Sequence, residues 1–226
     1  MLDEMRGSYK PEEGVEILCS LLFIRWDEEK GDKSMEELSL KQIVQEIDVA
    51  NKLMIKIRAI DKKYGFDSLN VLLTSFLVEQ GKRQENWLRN ILDMFITLTN
   101  SFSGDAIEEI RKLVMQLVID SGMMTTPESV KQMMVKLVEP KVDMTISDFF
   151  SGLGGIGLEL VQTYREYNMK LYGEEIDLEL VAFSKLIMIM NDFENYSINN
   201  KDVYNFSLQH EEKYDYVLMD PPLSLT

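Results

Sequence analysis

One cysteine, Cys19, and one histidine, His210, are all that 226 residues hold of those two types. A lone cysteine excludes an internal disulfide and fits a reducing compartment, and without paired Cys or His clusters no zinc-site spacing exists. Basic residues are scarce too: 24 Lys and Arg stand against 39 Asp and Glu, a net charge of −15. Affinity for nucleic acid comes largely from Lys and Arg displacing counterions, so a chain this acidic is ill suited to gripping phosphates alone. Wherever DNA is involved, a basic partner is expected to help hold it. No stretch approaches 18 uncharged apolar residues, and the charged opening MLDEMRGSYKPEEG has no signal-peptide core. These absences lead to the expectation of a cytoplasmic protein with no membrane segment and no metal site.

What is present is enough apolar material, 45% of the residues, for a sizeable core in one or two domains. From about Glu12 to Asp120 the apolar residues recur at three and four. Leu40, Ile43, Val44, Ile47, Met54 and Ile57 form one such series. Trp87, Leu88, Ile91, Leu92 and Phe95 form a second, and Ile107, Ile110, Leu113, Val114, Leu117 and Val118 a third. That period is helical, and the breaks KKYGFDS, EQGKRQ and NSFSGD carry the Gly, Ser and Asp of turns and caps. From Met144 the rhythm changes to short runs, MTISDFF, MKLYGEE, YSINN and YDYVLM, with helical segments between the first three. Such alternation predicts a parallel sheet with helices packed on it. The expected organisation is a helical domain over 1–121 and an α/β domain over 122–226. The fifteen methionines fall mostly in apolar stretches, where they read as core filler.

Two motifs carry chemistry. In SDFFSGLGGIGLEL a strand ends in a glycine-rich turn that opens a helix. Glycines there let the backbone approach a ligand, and the helix start offers unpaired N–H groups. Gly152, Gly154 and Gly157 fit the spacing of a dinucleotide fingerprint, with Glu175 at about the distance of a ribose-binding acid. A dinucleotide-binding oxidoreductase is therefore one reading of the turn. The second motif, YDYVLMDPPL, sets an acid and two prolines directly after an apolar strand. Adjacent strand ends in an open α/β sheet share one crevice, so Asp220 is expected near the glycine turn. Asp220 and the Pro221 carbonyl are hydrogen-bond acceptors suited to an exocyclic amine.

The succession GMMTTPESVKQMMVKLVEP, SDFFSGLGGIG, LYGEEID, NNKDVYNF and YDYVLMDPPL resembles the S-adenosylmethionine-dependent N6-adenine DNA methyltransferases, and especially the modification subunit of type I restriction-modification systems. The match runs from about Gly122 to Leu223, and YKPEEGVEILCSLLFIRWDEE is similar, more loosely, to the start of that subunit's helical domain. The resemblance implies an α-helical N-terminal domain followed by a partial Rossmann-like methyltransferase domain, the first four strands of seven, in the spatial order three, two, one, four. It implies that Thr126 and Pro127 open a helix bordering the cofactor. Asp148, Ser151, Gly152, Gly154 and Gly155 would surround the methionine part of S-adenosyl-L-methionine, Glu175 would bind the ribose hydroxyls, and Asp202 the adenine amine. Glu174 and Asp177 are rivals for the ribose position. On its own chemistry, Thr126 suits a helix N-cap and Pro127 a first helical position.

Catalysis falls by the same resemblance to Asp220, Pro221, Pro222 and Leu223, with DNA bound alongside specificity and restriction subunits. Two acceptors would hold both N–H groups of adenine N6 and localise its lone pair. The sequence departs from the family at Leu223, where Phe or Tyr normally stacks on the flipped base, and at Asp220, where Asn is commoner. The run 214–219 is expected to form an apolar sheet edge that invites pairing with another chain. A chain stopping after the fourth strand is read as an incomplete form, and a non-catalytic assembly module is the alternative of a different class. His210 and Cys19 are expected to have no catalytic part, the latter as a buried thiol in ILCSLLFI.

Overall fold

The computed structural model describes residues 11–31, 39–78, 84–102, 105–120, 126–203 and 213–221. The chain separates into two compact units, Met1–Met123 and Met124–Thr226.

The first unit is helical: α1 Pro11–Glu29, α2 Leu40–Ile43, α3 Val49–Tyr64, α4 Ser68–Val78, α5 Gln84–Thr99 and α6 Ala106–Asp120. Helix α1 buries Ile17, Leu21, Leu22, Phe23, Ile24 and Trp26, residues on every side of it. A helix apolar all round belongs inside its domain, and α1 packs against both α4 and α6. The breaks fall where turn chemistry is strongest. Ser39 forms a capping box with Gln42, Asp48 caps α3, and Gly65, at φ 70°, closes it. One element departs from the helical periodicity. Ile47, in series with Leu40, Ile43 and Val44, is 95% exposed. Helix α2 ends at Ile43 and α3 restarts at its Asp48 cap, so Ile47 sits in the intervening turn and the shared period is interrupted.

The second unit holds α7 Glu128–Lys136, β1 Thr145–Asp148, α8 Gly155–Thr163, β2 Lys170–Glu175, α9 Leu178–Met190, β3 Tyr196–Asn200 and β4 Tyr216–Leu218. A short 3-10 turn, Arg165–Tyr167, leads from α8 toward β2. All four strands are parallel, in the order β3-β2-β1-β4 expected from the sequence. Ile146 of β1 and Leu171 of β2 join Val135 of α7 and Ile156, Leu160 and Val161 of α8 in one apolar core. Tyr216 and Leu218 of β4 pack on its margin. On its outer side β4 has no strand among the described residues, and Val217 and Met219 are 44% and 49% exposed. The register Asp148↔Gly173 and Asp148↔Leu218 brings the carboxyl ends of β1, β2 and β4 level with one another. Ligand crevices in such sheets form at that end.

Candidate functional site

The site is built where β1 turns into α8. Strand β1 ends at Asp148, and the chain then runs through Ser151, Gly152 and Gly154 to the start of α8. Gly152 and Gly154 stand at φ 50° and 77°, a region that any Cβ makes unfavourable. Gly154 is also crowded: a Cβ there would lie 3.1 Å from both Tyr196 Oη and Met188 Cε. The turn is tied to β2 by hydrogen bonds. Ser151 N–H donates to the Glu174 carbonyl at 3.0 Å, and Gly152 N–H donates to Glu175 Oε2 at 2.9 Å. Glu175 Oε1 meanwhile accepts from Asp177 N–H at 3.0 Å. One carboxylate thus fastens the glycine turn to the β2–α9 turn.

The three acids in GEEID separate by role. Asp177 is the N-cap of α9, accepting from the N–H groups of Glu179 and Leu180. Glu174 and Glu175 are neighbours in a strand, so they point to opposite faces. Glu174 is buried, with Oε1 3.5 Å from Lys201 Nζ. Among the three, the acid whose side chain touches the glycine turn is Glu175.

Asp148 is buried beneath the turn and accepts one hydrogen bond, from Phe150 N–H at 3.1 Å. Burial pushes its carboxyl up to about 7 against that bond, with the negative charges of Glu175 and Asp220 adding to the rise. The ends of three strands therefore gather three carboxylates that repel one another. Such a group favours a cationic ligand, which would relieve the repulsion. Asp148, Ser151, Gly154, Gly157 and Tyr196 line a cavity of about 10 Å³ under the turn, too little for more than one water. On the outer side the turn is open, with nothing within 4 Å of a Cβ built on Gly152.

The structure brings Asp148, Ser151, Gly152, Gly154, Gly155, Glu175 and Asp220 to the carboxyl end of the sheet. Asp202 follows the end of β3, where Lys201 N–H donates to the Glu175 carbonyl at 2.9 Å. Pro221 is described and exposed; Pro222, Leu223 and His210 lie outside the described residues. The start of α7 differs from expectation by one position. Pro127, not Thr126, is the N-cap residue, and its carbonyl accepts from Val130 and Lys131 N–H at 2.9 and 3.0 Å. A proline at that place offers no side-chain cap. Two residues the sequence reading passed over are Tyr196, whose hydroxyl underlies Gly154, and Lys131, whose side chain lies against Gly155. Neither belongs to a motif, and only the packing reveals them. Among the described residues no group of three or more His, Cys, Asp or Glu is arranged to hold a metal ion. Nor is any helix there long and apolar enough to cross a membrane.

A parallel sheet ordered three, two, one, four, with a glycine turn after its first strand and an acid ending its second, is a partial Rossmann-like domain. The chain belongs to the N-6 DNA methylase family, whose profile matches residues 101–226. Its fold is similar to that of the methyltransferase subunit of the type I restriction-modification system from Streptococcus thermophilus, with a TM-score of 0.75 at 15% identity, over 97% of this chain and 61% of that one. The chain thus spans about three fifths of that subunit's length. A modification subunit of a putative type I restriction enzyme from Vibrio vulnificus gives a TM-score of 0.49 at 17% identity, covering 60% of this chain and 32% of that one. No curated protein sequence matches the chain.

Proposed function

We propose that this chain is the modification subunit of a type I restriction-modification system, an adenine-N6 DNA methyltransferase that uses S-adenosyl-L-methionine. The observation that carries the reading is the joining of the glycine turn to Glu175, with Asp148 and Asp220 converging beside it, in a member of the N-6 DNA methylase family. The donor suits these residues. It carries positive charge where three carboxylates are crowded, and the turn offers a surface free of side chains for close approach. Bound there, it supplies a methyl group activated by a sulfonium.

The chain's own groups then have distinct tasks. Asp148 and Glu175 hold the donor by charge and hydrogen bonding, Glu175 at its ribose, while Asp202 accepts from its adenine amine. Thr126 and Pro127 border the same site from the start of α7. Asp220 and the Pro221 carbonyl accept the two N–H groups of the target amine, keeping its lone pair out of the ring and on nitrogen. Pro222 and Leu223 complete the motif, Leu223 giving the base apolar contact in place of an aromatic face. With a net charge of −15, the chain relies on a basic specificity subunit for most of its grip on DNA.

Calorimetric titration with S-adenosylmethionine tests the reading, with Asp148→Ala and Glu175→Ala as controls. Saturable binding lost in both variants supports it; a well-folded chain that takes up no donor overturns it. A second reading, a non-catalytic assembly module, is favoured by the outer side of β4, which no strand pairs among the described residues and where Val217 and Met219 are exposed. Light scattering of the chain alone and with a specificity subunit separates the two. Assembly without donor binding would select the module.

A further inference from the structure

Gly155 opens α8 with an ordinary backbone conformation, since among the described residues the glycines at positive φ are Gly31, Gly65, Gly152 and Gly154. Its missing side chain therefore serves space, and the space is taken by Lys131 of α7. A Cβ on Gly155 would meet Lys131 Cδ at 3.3 Å and Nζ at 3.9 Å. The lysine side chain is only 18% exposed, and its ammonium pairs with Glu128 Oε2 at 2.7 Å. That partner is 60% exposed on the same helix. Solvent screens a pair so placed, and it exchanges readily for a better-held anion.

The placement matters because of what surrounds it. Glu175 and Asp220, joined by Asp148 in its ionised form, make the crevice negative, which suits the ammonium and sulfonium of an amino-acid donor but repels its carboxylate. An anion in this crevice needs a cation beside it, and the first-turn N–H groups of α8 add a weaker positive field at the same end. Lys131 lies against the residue that begins that helix. We propose that Lys131 Nζ recognises the α-carboxylate of the donor's methionine end, making it a specificity-determining residue for amino-acid-bearing donors. The proposal rests on the donor-binding reading above, and it gives Gly155 a reason to be glycine that the fingerprint spacing does not.

The test compares two ligands that differ by that carboxylate. Wild-type chain and Lys131→Met, which keeps the aliphatic stem over Gly155, are titrated with S-adenosylmethionine and with decarboxylated S-adenosylmethionine; thermal melting checks the fold. Wild type is expected to bind the carboxylated donor about tenfold more tightly. Lys131→Met is expected to weaken that donor about tenfold while leaving the decarboxylated one within twofold, and Lys131→Arg to keep most of the preference. Equal weakening of both ligands, or of neither, overturns the proposal, because a lysine that merely packs on the turn cannot distinguish them. If wild type binds neither ligand, the donor-binding reading itself fails, and the assignment of Lys131 with it.

Discussion

Each unit buries one aspartate among its described residues, Asp61 in the helical unit and Asp148 in the α/β unit. Burial raises both, to about 6 and about 7. Their surroundings differ. Asp61 uses both oxygens, accepting from Leu69 N–H at 3.0 Å and Asn70 N–H at 2.9 Å at the start of α4. Asp148 has one N–H, from Phe150, and faces two like charges. The helical unit pairs other buried charge internally as well: Glu28 Oε1 lies 3.0 Å from Lys56 Nζ, and Asp27 takes both Lys63 Nζ and Tyr64 Oη. Among the described residues, buried polar atoms without a hydrogen-bond partner occur in both units, Ser20 Oγ and Trp26 Nε1 in the first and Glu174 Oε2 and Tyr196 Oη in the second, so the contrast lies in the two aspartates themselves. A carboxylate closed by backbone donors is a fastening, whereas one left among like charges retains the capacity to meet a ligand.

The sharpest separation comes from Glu175→Ala. The change removes two charge-assisted hydrogen bonds to backbone, at Gly152 and Asp177, and the ribose contact proposed for the same carboxylate. Bonds to charged groups are worth about 1.5–3 kcal/mol each, so titration should find S-adenosylmethionine bound about 100-fold more weakly. The circular dichroism of the helices should be unchanged. Asp61→Ala should do the reverse. Leaving the first N–H groups of α4 without their acceptor should lower the unfolding free energy by about 2 kcal/mol in a urea titration, with donor affinity within twofold of wild type. If Asp61→Ala also abolished donor binding, the division of labour between the two aspartates would be wrong.

The strands and the glycine turn are visible in the sequence, whereas the part played by Asp61 is not, and particular residues show why. The strand runs and the acid-ended GEE segment were legible because period-two patterning, glycine turns and terminal acids are local signals. The order β3-β2-β1-β4 followed from the family resemblance, not from periodicity. Ile47 was misleading because its spacing continues a helical face across a break that Asp48 makes. Pro127 displaced Thr126 from the cap because its carbonyl, in extended conformation at ψ 144°, already receives the first helical N–H groups. Lys131 and Tyr196 were invisible: each meets the glycine turn from an element remote in sequence, and no spacing rule links them. Which of Glu174, Glu175 and Asp177 meets the turn became clear only once strand alternation and the α9 cap were fixed in space.

The pH response should distinguish the two units again, more modestly. Asp148 has a folded-state value of about 7 against its usual 3.8. The folded chain therefore holds a proton that the unfolded chain releases. The stabilisation from this group is full below about pH 4 and is lost as pH rises through about 7. Donor binding, which uses the ionised form, runs the other way and should weaken about tenfold from pH 8 to pH 6. Glu175, Asp220 and Tyr196 are the other titratable groups facing it, from β2, the segment after β4, and β3. Asp148→Asn should flatten the donor-affinity curve and leave in the stability curve the part that Asp61, raised to about 6, contributes. A titration curve of donor affinity that stays level between pH 8 and 6 in wild type would remove Asp148 from the contact.

The smallest effect concerns Tyr196. Its hydroxyl is buried with no bond of good hydrogen-bonding geometry; the nearest candidate is the Ser184 side chain, whose proton goes to the Val181 carbonyl at 2.9 Å and whose oxygen is left to accept. Burial, with Asp148 nearby, holds the phenol well above its usual range, so it stays neutral. A buried polar group without a partner is destabilising, and Tyr196→Phe removes only that oxygen while keeping the ring against Gly157. The unfolding free energy should therefore rise by up to about 1 kcal/mol, a change of sign relative to Asp61→Ala. A loss of similar size would mean that the hydroxyl is satisfied, and the α/β unit would then resemble the helical one at this position. A gain places the unsatisfied group directly beneath the glycine turn, where the fold tolerates it because Gly154 leaves no room for a side chain that would push the tyrosine away.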